Sequence, residues 1–311
     1  MASHVLPGAR HLAIFATTLV LAACSSVAPP SPPSTPSPQA GERSMTLRFT
    51  AVAGAEPVHC GKTIQGLGRT AASAQLRDLR FYVSEIAFID AGGNAVPLRL
   101  SHGEWQDGQV ALIDLADGRG SCAPSASQTN DAITGTLPRG DYRGLRFTVG
   151  VPHALNHSDY ASATPPLDVQ AMAWAWQVGR KFMQVEISPT GGVARAASGS
   201  TPGRAFLFHL GTTGCRGNPV TGETVHCERS NRAEVVFDRF DPESERVALD
   251  LAELYRGSDI QRDGGGALGC MSALSDPECE PMFLALGIDM ASGRPRPLEG
   301  RPTAVFKRLQ R

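Results

Sequence analysis

The sequence has no excess of charge of either sign: 29 basic residues face 30 acidic ones, a formal net charge of -1 over 311 residues. That balance excludes a disordered polyelectrolyte and a generally basic nucleic-acid binder, so no nucleic acid is expected as a partner. Aromatic residues are scarce, at 6%, and recur in short runs and not in long 3.6-residue stripes, which argues against a helical bundle. Several chemical motifs are missing too. There is no C-x-x-C knuckle of the kind structural zinc sites use, no C-x-x-C-H haem attachment, no G-x-S-x-G elbow and no H-E-x-x-H. A hydrolase assembled from His157, Asp159 and a serine therefore has poor support. What the chain does have is 41% apolar residues, enough for a real core, with 33 glycines and 23 prolines. Those two residues together stand well above their ordinary share of about 12%.

The N-terminus reads as an export signal. A basic region ending in Arg10-His11 is followed by the apolar stretch Leu12–Ala23 and then by Leu21-Ala22-Ala23-Cys24, a bacterial lipobox. The stretch is shorter than the roughly 20 residues that span a bilayer as a helix, and small residues precede the cysteine as processing requires. Residues 1–23 are thus expected to be removed as a lipoprotein signal peptide and Cys24 to be acylated. Residues 24–42 form a Pro/Ser-rich tether whose Ser25–Ala40 (SSVAPPSPPSTPSPQA) has no apolar run able to offset ordering entropy. Ser25 stands where an inner-membrane retention signal would carry Asp, so an outer-membrane lipoprotein is expected, with a folded domain over 43–311.

With Cys24 set aside, Cys60, Cys122, Cys215, Cys227, Cys270 and Cys279 remain, an even set suited to disulfides in an oxidising compartment. Sequence alone selects none of the possible pairings. Local closure is cheapest for Cys215 with Cys227 and Cys270 with Cys279, each around a short polar loop, which leaves Cys60 with Cys122 by elimination. The rival arrangement, a thiolate metal site using His59 or His226 beside their cysteines, lacks the tight ligand spacing of such sites.

Short β-rich segments recur through the domain: Met45–Val52, Leu79–Ile89, Val110–Leu115, Gly144–Val149, Phe182–Ile187, Ala205–Leu210, Ala233–Phe237 and Arg246–Leu251. Gly, Pro, Asn and Asp separate them, and no regular helical pattern intervenes. The expected fold is mainly β, an antiparallel β-sandwich or barrel-like single domain. Helix is expected only in small inserts, Leu251–Tyr255 and Pro281–Leu286, the second opening on proline.

One constellation offers chemistry: Gly150–His157 (GVPHALNH), Met172–Gln177 (MAWAWQ), and Phe208–Cys215 (FHLGTTGC). Neutral imidazoles suit copper or zinc, and Trp174 and Trp176 would share a face if that segment is extended. Lone histidines at strand ends and paired tryptophans also occur in plain packing roles, so a structural or interaction β-sandwich without metal stays open. These stretches, with RFYVSEI at Arg80–Ile86, ALIDL at Ala111–Leu115 and MAWAWQVGRKFMQVEI at Met172–Ile187, resemble the MbnP-like proteins. That exported metallo-mystery pair four-Cys family includes methanobactin-associated periplasmic proteins. The resemblance runs over most of residues 45–290.

The resemblance implies a copper-binding protein that is not itself an enzyme. Its partner would be a dihaem cytochrome c peroxidase-like (MbnH-like) protein that oxidises one tryptophan, Trp174 or Trp176, to kynurenine. His157 and His209 match the LNH and FHLGxTGC motifs as metal ligands. His153 stands where an apolar residue is usual, as an extra ligand or a surface imidazole. Arg180 replaces an expected aromatic, and its cation would disfavour a nearby Cu²⁺ unless it points to solvent or pairs with a carboxylate such as Asp159.

Overall fold

The computed structural model describes residues 41–122, 128–160, 162–174, 179–196, 201–218, 221, 223, 225–296 and 303–311. The export signal, Cys24, the spacer to residue 40 and Trp176 lie outside the described residues. The principal strands, in chain order, are β1 (Glu42–Ala53), β2 (Ala72–Asp90), β3 (Val110–Asp114), β4 (Ala132–Pro138), β5 (Tyr142–Val149) and β6 (Met183–Pro189). They continue with β7 (Phe206–Leu210), β8 (Thr213–Arg216), β9 (His226–Arg229), β10 (Ala233–Phe237), β11 (Glu245–Asp250) and β12 (Phe306–Gln310). Among the described residues three short α-helices interrupt them: α1 (His153–Asn156), α2 (Leu251–Tyr255) and α3 (Cys279–Ala285).

Two sheets make a sandwich. In the first, β1 pairs antiparallel with β4 and parallel with β11, and β11 pairs with β12. The alternation of Met45, Leu47, Phe49 and Ala51 turns one face of β1 inward, as period-two side-chain geometry requires. The second sheet is built on the 19-residue β2, which pairs with β3, β5 and β6; β7 continues from β6, and β10 from β5. The sheets meet through an aromatic knot. Phe49 and Phe306 of the first sheet lie edge-to-face on Phe81 and Phe147 of the second, with ring centroids 5.6–5.9 Å apart. Each such pair contributes about 1 kcal/mol beyond its area burial.

Among the described residues pairing is mostly antiparallel and no barrel closes, but three parallel pairs qualify the expected antiparallel plan. They are β1 with β11, β7 with the short strand Gly269–Cys270, and Ala194–Arg195 with Arg262–Asp263. Each joins segments separated by a long excursion, which is what parallel pairing needs and what local turn signals do not reveal. Strand β4 gave no sequence expectation, because Thr and Gly interrupt its apolar pattern. Helix α2 falls on the expected residues, and Asp250 caps it by accepting from the Ala252 N–H at 2.9 Å. Helix α3 begins two residues before Pro281, at the cysteine. Disulfides join Cys60 to Cys122, Cys215 to Cys227 and Cys270 to Cys279.

Residues Leu79–Ser84 of β2 are buried on both sides. Phe81 faces the other sheet, so Asp78, Arg80, Tyr82 and Ser84 face outward and something must cover them. The cover is the excursion between β5 and β6. The Tyr82 hydroxyl donates to the Pro166 carbonyl at 2.8 Å and the Ser84 hydroxyl to the Gly150 carbonyl at 2.8 Å. All the candidate chemistry sits on or beside this cover.

Candidate metal centre

Helix α1 is a single turn opened by Pro152, whose carbonyl accepts from the Leu155 and Asn156 N–H groups. His157 caps its C-terminus, so His153 and His157 fall four residues apart on one face. Their rings meet edge-to-face with centroids 5.2 Å apart. His157 is buried and its Nε2 lies 3.4 Å from Cys227 Sγ, while the exposed His153 reaches the Val225 carbonyl with Nε2 at 3.0 Å. One ligand atom from each of His153, His157 and Cys227 lies within 4.8 Å of the others.

The hydrogen bonds assign the tautomers. Asn156 Oδ1 accepts from the Arg180 backbone N–H at 2.9 Å, so the amide's NH₂ end points at Thr212 Oγ1, 3.0 Å away, and at His157 Nε2, 3.2 Å away. An NH₂ group only donates. His157 therefore carries its lone pair on Nε2, where it accepts from Asn156, with Cys227 Sγ 3.4 Å away. His153 donates Nε2–H to a carbonyl and carries its lone pair on Nδ1.

Asn156 is the junction of three motif segments. Besides its neighbour His157, it binds Thr212 of the FHLGTTGC stretch and the hairpin Ala173–Trp174/Gly179–Arg180. Trp174 is 2% exposed and lies against Gly211, where a Cβ would sit 1.9 Å from Trp174 Cζ3 and 2.2 Å from Cε3. Only glycine permits that approach. The Trp174 backbone N–H donates to the Tyr160 hydroxyl at 3.3 Å, and that hydroxyl donates to the Gly179 carbonyl.

Arg180 takes neither of the orientations considered from sequence. It is fully buried: Nη1 donates to the carbonyls of Leu155 (3.0 Å) and Asn156 (2.8 Å), Nε to that of Leu167 (2.8 Å), and the guanidinium stacks on Tyr160, 4.5 Å from the ring centroid. Burial pulls its pKa below the ordinary value, yet arginine stays charged. A cation at the C-terminal end of α1 complements the partial negative charge there. The residue that looked like an obstacle is thus a clamp on the helix bearing His153 and His157.

His209 belongs to a different neighbourhood. It is buried on β7 with Nε2 2.9 Å from Glu186 Oε1. Burial pulls the imidazole pKa down, against the upward pull of Glu186, so the ring is neutral at neutral pH. It donates Nε2–H to the carboxylate and keeps its lone pair on Nδ1. Burial alone would raise the Glu186 carboxyl, but the hydrogen bond from His209 and nearby cations hold it below the ordinary value.

His209 also ends a polar row that sequence reasoning missed. Asp114, Arg80, Gln184 and His209 stand directly opposite one another across β3, β2, β6 and β7, and all four are buried. Arg80 Nε bonds Asp114 Oδ2 at 2.8 Å, and Arg80 Nη1 and Gln184 Nε2 approach Asp78 Oδ2 at 3.4 and 2.9 Å. Burial, only partly offset by Arg80, pushes the Asp78 carboxyl up to about 6. The available signal was Asp78-x-Arg80 and Gln184-x-Glu186, polar residues at same-face spacing inside β-rich runs.

The structure therefore brings His153 and His157 together and sets His209 with Glu186. The motif segments carrying His157, Trp174 and His209 converge around Asn156 and Gly211. A model of the MbnP family matches residues 42–272 of this chain. The chain belongs to the MbnP family. Among solved structures, MbnP from Methylosinus trichosporium is similar at 39% identity and a TM-score of 0.79, over 86% of this chain and 99% of that one. None of the curated proteins matches. Membership in a family of methanobactin-associated proteins, with three disulfides in one domain, fits an extracytoplasmic location.

Proposed function

We propose that this MbnP-family protein is an exported copper-binding protein, and the substrate of a dihaem peroxidase-like partner that oxidises Trp174 or Trp176 to kynurenine. It is not itself the catalyst. The reading rests on the Asn156 junction: one buried side chain binds the histidine motif, the tryptophan hairpin and the FHLGTTGC stretch together. Sequence-distant segments with no shared catalytic triad are held in register there, as a ligand site requires and a plain packing layer does not.

The residues fit copper. In the neutral imidazole form, which suits copper, His153, His157 and His209 carry their lone pairs on Nδ1, Nε2 and Nδ1. Two imidazoles leave the ion short of ligands, and an indole N–H has no lone pair to offer. Kynurenine presents an aryl amine and a carbonyl oxygen in the same place. The partner's haem supplies the oxidising power; this chain's part is to hold the indole still. Gly211, Tyr160 and the hairpin do so for Trp174. An acylated Cys24 and the Ser25–Ala40 spacer would hold the domain at the outer membrane, within reach of such a partner.

The test compares protein produced with and without the haem partner. Kynurenine has one carbon less and one oxygen more than tryptophan, so peptide mass spectrometry should find a gain of about 4 Da at Trp174 or Trp176. Copper titration should show tighter binding after oxidation. His157→Ala and His209→Ala should weaken it, and His226→Ala should not. Equal copper affinity of unmodified and co-produced protein would leave the metal-free sandwich as the better account.

A further inference from the structure

Of the three disulfides, Cys270–Cys279 is fully buried and Cys60–Cys122 is buried at one end, whereas both cysteines of Cys215–Cys227 are partly exposed. Exposed disulfides are the readily reduced, regulatory ones. This one joins directly opposed residues of the β8–β9 hairpin, and its Cys227 sulfur lies within 4.8 Å of a ring nitrogen of each of His157 and His153.

We propose that reduction of Cys215–Cys227 turns this corner into a second, redox-gated metal site in which Cys227 thiolate, His157 Nε2 and His153 Nδ1 bind a thiophilic ion such as Cu⁺ or Zn²⁺. While oxidised, the sulfur is no thiolate and the corner has two imidazoles only. An external dithiol supplies the electrons: the Cys215–Cys227 S–S bond breaks, an S–S bond forms in the dithiol, and its two protons pass to the two cysteines. The Cys227 proton leaves to solvent as the metal binds, since a thiolate and not a thiol is the ligand. Two imidazoles and one thiolate suit copper or zinc and leave a coordination position open.

Three features on this corner support the assignment. The Asn156 NH₂ keeps His157 Nε2 unprotonated 3.4 Å from the sulfur, so an ion there takes over the lone pair that now accepts from Asn156, and the Val225 carbonyl fixes the other tautomer on His153. The arrangement of one imidazole hydrogen-bonded to a backbone carbonyl while its other nitrogen stays available is how proteins orient metal-binding histidines. His153 stands on the outer side, exposed, so an ion can enter from solvent. The site shares His157 with the copper reading above but needs neither oxidised tryptophan nor His209.

The test uses protein produced without any haem partner, so its outcome does not depend on kynurenine. Cys215→Ser leaves Cys227 permanently free, and Co²⁺ is the probe. The variant should bind one Co²⁺ with a thiolate-to-metal charge-transfer absorption that the oxidised wild type lacks. Adding His153→Ala should weaken binding by about tenfold or more, and Cys227→Ser should abolish the absorption. Should Cys215→Ser not fold, native-state titration with dithiothreitol provides the same species, with alkylation mapping to show Cys215 and Cys227 reduced and the other four cysteines still paired. A free Cys227 without the charge-transfer band, or with affinity indifferent to His153, overturns the proposal. So does failure of both routes to yield a folded protein with Cys227 free.

Discussion

Replacing Gly211 by alanine adds one methyl group where Trp174 already lies. The new Cβ would fall 1.9 Å from Cζ3, 2.2 Å from Cε3 and 3.1 Å from the Arg180 carbonyl, while carbon atoms rest at about 3.5–4.0 Å. The indole would have to retreat by about 1.5 Å or more, but Tyr160 holds the Trp174 backbone and the ring is almost wholly buried. Gly211 does not occupy the left-handed region, so backbone strain adds nothing and the cost is overpacking. Overpacking costs about 1–3 kcal/mol, and a clash with two ring atoms belongs at the upper end. For a domain of this size Gly211→Ala should lower the melting temperature by roughly 5 °C. Urea unfolding of Gly211→Ala, Trp174→Ala and the double variant closes the cycle. With the indole gone, the alanine should cost less than about 0.5 kcal/mol, and the coupling should equal most of the single-variant penalty. Additive costs, or a Gly211→Ala variant within about 0.5 kcal/mol of wild type, would refute the contact.

Asp78 titrates near 6 in the folded protein against an ordinary 3.8, so the folded state holds more protons between those values and stability falls as pH rises through that window. The loss should be on the order of 2–3 kcal/mol, and unfolding curves of Asp78→Asn should lack that slope. Arg180→Lys keeps the charge, but one ammonium cannot serve the carbonyls of Leu155, Asn156 and Leu167; a cost of about 2–4 kcal/mol is expected, and one under about 1 kcal/mol by chemical denaturation would contradict the clamp. Removing Cys60–Cys122, whose ends lie 62 residues apart, by the double serine variant should cost about 4 kcal/mol, read from the shift in denaturation midpoint.

Much of this fold was legible because local signals carry it. The alternation in Met45–Val52 turned out to be the inner face of β1, and the loops around Cys215–Cys227 and Cys270–Cys279 closed as their brevity favours. Strand β2 extends well beyond Leu79–Ile89, to Ala72, because partners on both edges support residues with little β-preference of their own. Parallel pairing of β1 with β11 is set by tertiary packing and has no local signature. At the candidate centre, the residue types stood out but their grouping did not. His153 meets His157 because a proline-started turn happens to follow β5, while His209 is drawn to Glu186, two residues off its direct cross-strand partner Gln184. The surroundings of Arg180 were not legible, because a buried arginine held by three carbonyls and a tyrosine ring leaves no mark in the sequence.

The placement of β1 between β4 and β11 has a consequence for how the chain comes to be folded. Synthesis is vectorial, and β1 finds one neighbour only at Glu245–Asp250 and the next beyond it, β12, only at Phe306–Gln310. Until then, one edge of β1 is open and Phe81 and Phe147 await Phe306. Such long-range closure is slow and leaves strand edges exposed to misassociation. The first sheet of this domain thus stays open along one edge of β1 until β11 and β12 are in place, which makes β12 its latch: deleting residues 306–311 should raise aggregation relative to the intact domain, as light scattering during refolding would show.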